Sequence, residues 1–287
     1  MTPCLFTDLA APAKLNLFLH IVGRRSDGYH LLESVFVLID LMDSVTVERL
    51  ESPEIVRTGD TVGDPEKDLC VKAARLLAQE THSRLGARIH VTKRIPAGAG
   101  LGGGSSDAAT TLTALNRLWA LNLPKERLLD LGARLGADVP FFLFGQSAFA
   151  RGIGNLLTPV HVPDAFAAVL MPPTPTLTQA IYQADDLKRD TKPVSEEDFE
   201  TDIKKNWPRV FGTNDMQPVA VRLNPQIAWA LDVLGPESRM TGSGSAVFIL
   251  KSTREAANEA LLQIPPAFTG YVAKILPYHP LYRESVG

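Results

Sequence analysis

Hydrophobic and polar positions near the start of the chain alternate with a period of two. In "AKLNLFLHIV", Ala13, Leu15, Leu17, Leu19 and Ile21 share one face and Lys14, Asn16, Phe18 and His20 the other. The spacing predicts a half-buried strand on which Lys14 and Asn16 are neighbours in space. After the turn signal Asp27-Gly28, "LLESVFVLIDL" and "DSVTVERL" predict two more strands, so the opening reads as a β-meander. The period then becomes helical in "DLCVKAARLLAQET", returns to strand in "ARIHVTKRI", and is helical again in "SSDAATTLTALNRLWAL", with Ser-Ser-Asp at the helix start.

"KERLLDLGARLG" predicts a further helix, "GADVPFFLFG" a short segment, and "SAFARGIGNLLTPV" a pair of hairpin strands. The strand in "HVPDAFAAVLMPPTPT" gives way to proline-rich chain. Beyond it lie the helix "NPQIAWALDVLG", the loop and strand "MTGSGSAVFIL", the helix "TREAANEALLQI" and the strand "YVAKILPYH". Strands and helices without regular βαβ alternation predict an α+β fold of two domains, 1–158 and 159–287, with the tail after 275 placed to pack back on the first. The polar stretch Asp185 to Asn214, including "DDLKRDTKPVSEEDFETDIKK", reads as a solvated insertion.

A chain of 287 residues with 45% hydrophobic content can bury a sizeable core. Its formal net charge of -3 argues against a general nucleic-acid or anionic-membrane binder and points to a small-molecule partner. Cys4 and Cys70 form neither a disulfide framework nor a thiolate zinc site, which fits a reducing cytoplasm. No uncharged apolar run reaches the roughly 20 residues of a membrane span, and the histidines show no metal-ligand spacing.

The candidate chemistry lies in "IPAGAGLGGGSSDAA", at a strand-to-helix junction. Unpaired amides at a helix start, reinforced by the helix dipole, wrap phosphate where glycine lets it approach. Ser105 and Ser106 add hydroxyls for phosphate or a metal ion, and Asp107 reads as a cap or a magnesium neighbour. The P-loop pattern is absent because no lysine precedes Ser105. Gly98, Gly100 and Gly103 do satisfy G-x-G-x-x-G, the mark of a nicotinamide-dependent oxidoreductase. The buried strand before it and the acid about 20 residues beyond are both missing.

"PAGAGLGGGSSDAA" resembles the phosphate loop of the GHMP kinases, P-x-x-x-G-L-G-x-S-S-x-A, with an extra glycine. "PAKLNLFLHIVGRRSDGYHLLESVF", "GADVPFFL" at 136–143 and "TGSGSAVF" at 241–248 resemble, in order, the motifs of the branch that phosphorylates diphosphocytidyl-methylerythritol. The match spans Pro12 to Phe248. The resemblance implies an ATP-binding N-terminal domain, a cleft between domains, and transfer of the ATP γ-phosphate to the 2-hydroxyl of that substrate in non-mevalonate isoprenoid synthesis, with Mg2+. It implies that Pro96, Ala97, Gly98, Ala99, Gly100, Leu101, Gly102, Gly103, Gly104, Ser105 and Ser106 bind ATP.

Asp138 before Val-Pro reads from its residues either as a helix N-cap or as a catalytic group. The resemblance makes it the general base, with Lys14 beside it and Asn16 holding substrate or Asp138. Lys14 would otherwise be an edge-strand lysine snorkelling to water. The resemblance further implies that His30 hydrogen-bonds the cytosine, that Tyr29 and Tyr182 stack on it, and that Thr241 and Gly242, with Ser243 and Gly244, form a second glycine loop. It also makes Asn214 and Asp215 braces on the cytidine side. The magnesium ligands are not pinned by spacing; Ser105, Ser106 and Asp107 are the candidates. The "RSDGYH" segment and the Gly-Gly-Gly-Ser-Ser-Asp form of the loop argue against a homoserine- or mevalonate-type kinase, and an RNA-binding module would need a basic stripe with interleaved aromatics.

Overall fold

The computed structural model describes residues 3–283, and among these ten strands join in one sheet. β1 (Leu5–Arg24) and β2 (His30–Leu50) form a long antiparallel hairpin closed at Asp27-Gly28, where Gly28 has a φ of 91°. The two strands expected from "LLESVFVLIDL" and "DSVTVERL" are thus one 21-residue strand. It stays continuous because it has neighbours along its whole length: β4 (Gly86–Thr92) at Ser44 to Leu50, β5 (Ala148–Arg151) at Ser34 to Phe36, and β10 (Thr269–Leu276) at Leu38 and Ile39.

β3 (Ile55–Gly59) runs parallel to β4, while β6 (Leu156–Pro159) closes a hairpin with β5. Beyond β10 the order continues through β7 (Phe166–Met171), β9 (Val247–Lys251) and β8 (Arg239–Met240), all antiparallel. β4 pairs antiparallel with β2 before the glycine run, so the chain has none of the doubly wound parallel sheet that a dinucleotide fold requires.

Helices α1 (Leu69–Thr81), α2 (Gly103–Leu118), α3 (Lys125–Leu135) and α4 (Val139–Phe144) cover one face of the N-terminal half. Asp68 caps α1 by accepting from the Cys70 and Val71 amides at 2.8 and 3.3 Å. In the second half, α5 (Thr178–Gln183), α7 (Gln217–Leu223), α8 (Gln226–Leu234) and α9 (Arg254–Glu259) pack on β7 and β9. α9 is shorter than "TREAANEALLQI" suggests, stopping at Glu259 before a run of turns. After β10 the chain returns to the first half: the His279 amide donates to Gly145 O at 2.8 Å, and the Tyr282 hydroxyl in α10 (Pro280–Arg283) donates to Leu143 O at 2.8 Å. No helix among the described residues is long and apolar enough to cross a membrane.

Two expectations need correction. β1 is buried on both faces from Ala11 to Ile21, not half-buried. A register shift between Asn16 and Leu19 breaks the strict alternation and turns Phe18 into a cluster with Phe149, Phe199 and Phe211.

The charged stretch from Asp185 to Asn214 is not a solvated insertion either. It carries α6 (Glu196–Asn206), opened by a capping box between Ser195 and Asp198 and flanked by acids in its first turn and lysines in its last. Phe199 and Ile203, one turn apart, are its buried stripe, and two apolar residues suffice because the helix lies on the Phe18 cluster. Phe199→Ala is therefore expected to cost about 3–5 kcal/mol in urea unfolding; a loss near zero would restore the solvated reading.

Candidate active site

A cavity of about 580 Å3 opens between the two halves, and the glycine run forms its floor. Pro96 to Ser105 all line it. Helix α2 begins one residue after Gly102, whose left-handed φ of 74° makes it the N-cap, so the expected serine cap is absent. Leading α2 with glycine leaves the amides of its first turn facing the cavity without a competing cap side chain.

Packing also demands the glycines. A Cβ on Gly100, at φ 75°, would lie 2.4 Å from Thr241 O, and one on Gly102 would lie 2.9 Å from the Phe142 ring. The loop is thus wedged between the "TGSGSAVF" turn and α4. Ser105 lines the cavity, whereas Ser106 points inward, fully buried with its Oγ unpaired, and leaves the expected phosphate-binding set.

Lys14 is 3% exposed, which removes the snorkelling alternative. Its ammonium donates to Asn16 Oδ1 and stands 5.5 Å from the centre of the Phe36 ring. Burial pulls its pKa below the ordinary lysine value, while the Asp138 carboxylate pulls it up. The Asn16 side chain is fixed from the other end, donating to Ser34 Oγ at 2.9 Å.

Asp138 occupies the N-cap position of α4 but makes no side-chain cap bond, so its carboxylate is left to face the cavity. Tyr182, across the cavity, feels both burial and that carboxylate, and its pKa is pushed up to about 12. The structure therefore brings Lys14, Asn16, Asp138, Tyr182, Gly242 and the glycine run together.

Thr241 does not line the cavity. It is fully buried, and its Oγ1 accepts from the Asn16 amide at 3.0 Å, holding β1 in place. Gly242 does reach the cavity: a Cβ there would come within 3.0 Å of the Lys14 ammonium. Asn214 and Asp215 are buried braces. Asn214 Nδ2 donates to Met240 O and Gly242 O, each at 2.8 Å, and Asp215 Oδ2 accepts from the Ile21 amide at 2.7 Å.

Tyr29 is 61% exposed in the turn between β1 and β2 and lies outside the cavity. His30 is likewise not among the lining residues; its ring stacks on that of Tyr182, which is, at 4.8 Å.

The sequence reading missed the far wall, lined by Arg57, Asp60, Lys67 and Lys93. The turn-rich "GDTVGDPEKD" before a capped helix was the available signal. It also missed a clamp at the root of the glycine run. The Lys93 ammonium bridges two buried carboxylates, Asp43 and Asp107, the second at 2.7 Å. Asp43 Oδ1 also accepts from the Arg94 and Ile95 amides at 2.5 and 2.8 Å. Asp107 is thus not a helix cap: Lys93 holds its Oδ2, while its Oδ1 is buried without a hydrogen-bond partner and the residue lines the cavity.

The described residues contain no group of three His, Cys, Asp or Glu side chains able to hold a metal ion. Oxygen donors on the cavity wall, among them Ser105, Asp138 and the unpaired Oδ1 of Asp107, fit a magnesium ion carried mainly by phosphate oxygens.

Residues 68–146 match the GHMP kinases N terminal domain and residues 195–268 the GHMP kinases C terminal. The chain is 50% identical to the 4-diphosphocytidyl-2-C-methyl-D-erythritol kinase of Thiobacillus denitrificans, over 95% of this chain and 96% of that one. It is 49% identical to the enzyme of the same name from Ralstonia pickettii, over 99% of both chains. A crystal structure of 4-(cytidine 5'-diphospho)-2C-methyl-D-erythritol kinase superposes with a TM-score of 0.81 at 33% identity, covering 93% of this chain and 98% of that one. The homoserine kinase from Cytophaga hutchinsonii shares the fold, with a TM-score of 0.67 at 16% identity over 97% of this chain and 96% of its own.

Burial pushes the Asp107 carboxyl up to about 7 and Asp43 adds to the rise, against the pull of Lys93. An unfolded aspartate releases its proton near 4. Between about pH 4 and 7 the folded chain therefore holds the extra proton, and this group makes stability fall as pH rises. Asp107→Asn is expected to flatten that part of the Tm-against-pH curve; an unaltered curve would refute the clamp's protonation.

Proposed function

Because the chain belongs to the 4-diphosphocytidyl-2-C-methyl-D-erythritol kinase family of the GHMP kinases, we propose that Asp138, Lys14 and the glycine run carry its phosphoryl transfer. The protein is an ATP-dependent kinase that phosphorylates the 2-hydroxyl of diphosphocytidyl-methylerythritol in non-mevalonate isoprenoid synthesis. The observation that carries the assignment of roles is the juxtaposition of a buried Lys14 with an Asp138 carboxylate free of capping bonds, at the edge of the phosphate-binding loop. We take 1–158 as the nucleotide-binding domain and 159–287 as the substrate-side domain. The two free thiols suit a reducing cytoplasm.

The glycine run binds the triphosphate through amides at the start of α2, where the helix dipole favours negative charge. Asp138 accepts the proton of the acceptor hydroxyl as the new O–P bond forms and the bond from the γ-phosphorus to the bridging oxygen breaks, releasing ADP. Transfer through a loose transition state asks more of positioning than of basicity, so Asp138 chiefly orients the hydroxyl. Lys14 stabilises charge on the moving phosphoryl group. A magnesium ion, when bound, would supply charge neutralisation for the phosphates, and Ser105, Asp107 and Asp138 are the cavity-wall oxygens that would help hold it.

Tyr182 and His30 form the base-binding end of the site. Tyr182 lines the cavity and Tyr29 does not, so this reading gives the stacking role first to Tyr182.

ADP release measured with diphosphocytidyl-methylerythritol, homoserine and mevalonate in separate reactions is expected only with the first; release with another alcohol would overturn the acceptor assignment. Asp138→Asn should lower kcat by roughly 100-fold or more while keeping the wild-type melting transition, since Asp138 makes no capping bond. A lost transition would return Asp138 to a structural role. His30→Ala should raise the KM for the cytidine substrate and leave that for ATP in place; an unchanged KM would remove His30 from the base site.

A further inference from the structure

Arg189 lies six residues beyond the end of α5, in the stretch whose charge suggested mere solvation. Its guanidinium makes four hydrogen bonds. Nη1 donates to Leu187 O at 2.9 Å, and Nη2 donates to Ala184 O at 2.7 Å and Tyr182 O at 3.2 Å. Nε donates to Nε2 of His30 at 3.1 Å. Three carbonyls fix the fork, so the fourth bond has a fixed direction.

That bond dictates a tautomer. Arginine carries five N–H donors, no acceptor, and stays protonated. The nitrogen facing its Nε–H must therefore offer a lone pair, which puts the proton of a neutral imidazole on Nδ1. Protonating both nitrogens would set N–H against N–H. Burial, helped by Arg189 and Arg24, also holds the ring's pKa below the ordinary histidine value. Tyr182 lies nearly parallel to the ring at 25° and blocks its rotation. Among the described residues, no group hydrogen-bonds Nδ1.

We propose that Arg189 is a positioning residue for the acceptor's base: it fixes His30 with Nε2 as acceptor and Nδ1–H as donor, so that the ring recognises a lone pair on a pyrimidine edge. The proposal rests on the reading that His30 meets the cytosine. The O2 and N3 atoms of cytosine are both acceptors, whereas a ring N–H presented at the same point would face the Nδ1–H donor and be rejected. Because the same guanidinium holds the Tyr182 backbone, one residue sets both the donor and the stacking surface.

The test uses the full-length protein labelled with 15N-histidine, with the His30 signals identified by their loss in His30→Ala. Long-range proton–nitrogen spectra are expected to show Nδ1 protonated and Nε2 bare. In Arg189→Met the proton should redistribute between the nitrogens. The KM for diphosphocytidyl-methylerythritol should rise roughly 10-fold, about one hydrogen bond in a desolvated site, with kcat and the KM for ATP retained. A wild-type ring protonated on Nε2 would overturn the proposal without requiring any variant to fold. So would an unchanged substrate KM in Arg189→Met when His30→Ala raises it. An unchanged KM in His30→Ala would instead strike the cytosine reading itself, and the role of Arg189 with it.

Discussion

A strand edge without a neighbouring strand leaves backbone N–H and C=O groups that must find partners once buried, and β1 has such an edge from Lys14 to Ile21. Several parts of the chain supply partners there. The Lys14 amide donates to Leu101 O of the glycine run, and the Asn16 amide to Thr241 Oγ1. Arg239 donates to Leu17 O, the Leu19 amide to Thr213 O, and the Asp215 amide to Leu19 O. The Ile21 amide donates to Asp215 Oδ2, and the Thr191 amide to Ile21 O. Segments as far as 225 residues along the chain from their partner on β1 are thereby strung along one strand, and the cavity is the space left between them.

That arrangement explains the density of glycine better than phosphate binding alone. The phosphate loop and the "TGSGSAVF" turn both approach the same edge, and they touch each other: a Cβ on Gly100 would meet Thr241 O, and one on Gly242 would meet Lys14. Small residues let two loops and a lysine share the space in which a phosphoryl group must also pass. Burial of Lys14 follows from the same crowding, and a buried ammonium beside a carboxylate is the group best suited to charge that moves during transfer.

The base of the glycine run is held as firmly as its tip. Lys93 joins Asp43 to Asp107, tying β2, the end of β4 and the first turn of α2 into one unit. With Asp43 also accepting from the Arg94 and Ile95 amides, the loop leaves the sheet in a fixed direction. The substrate-side wall is organised in the same manner by Arg189, whose bonds gather Tyr182 and His30.

Local chemistry was enough to read much of this from the sequence. Period-two and period-3.6 patterns gave the type of most elements, the glycine run announced phosphate binding, and the order of four motifs pointed to the family. Asp138 could not be separated from a helix cap until its missing capping bond was seen. Tertiary contacts alone decided that a charged stretch is anchored by Phe199 and Ile203, that Thr241 bonds to β1, and that Tyr29 stays outside the cavity. They alone assembled Asp43, Lys93 and Asp107. The physical reason is that periodicity and turn chemistry act over a few neighbouring residues, whereas a buried charge or a free strand edge is satisfied by whatever partner the fold brings near, at any distance along the chain.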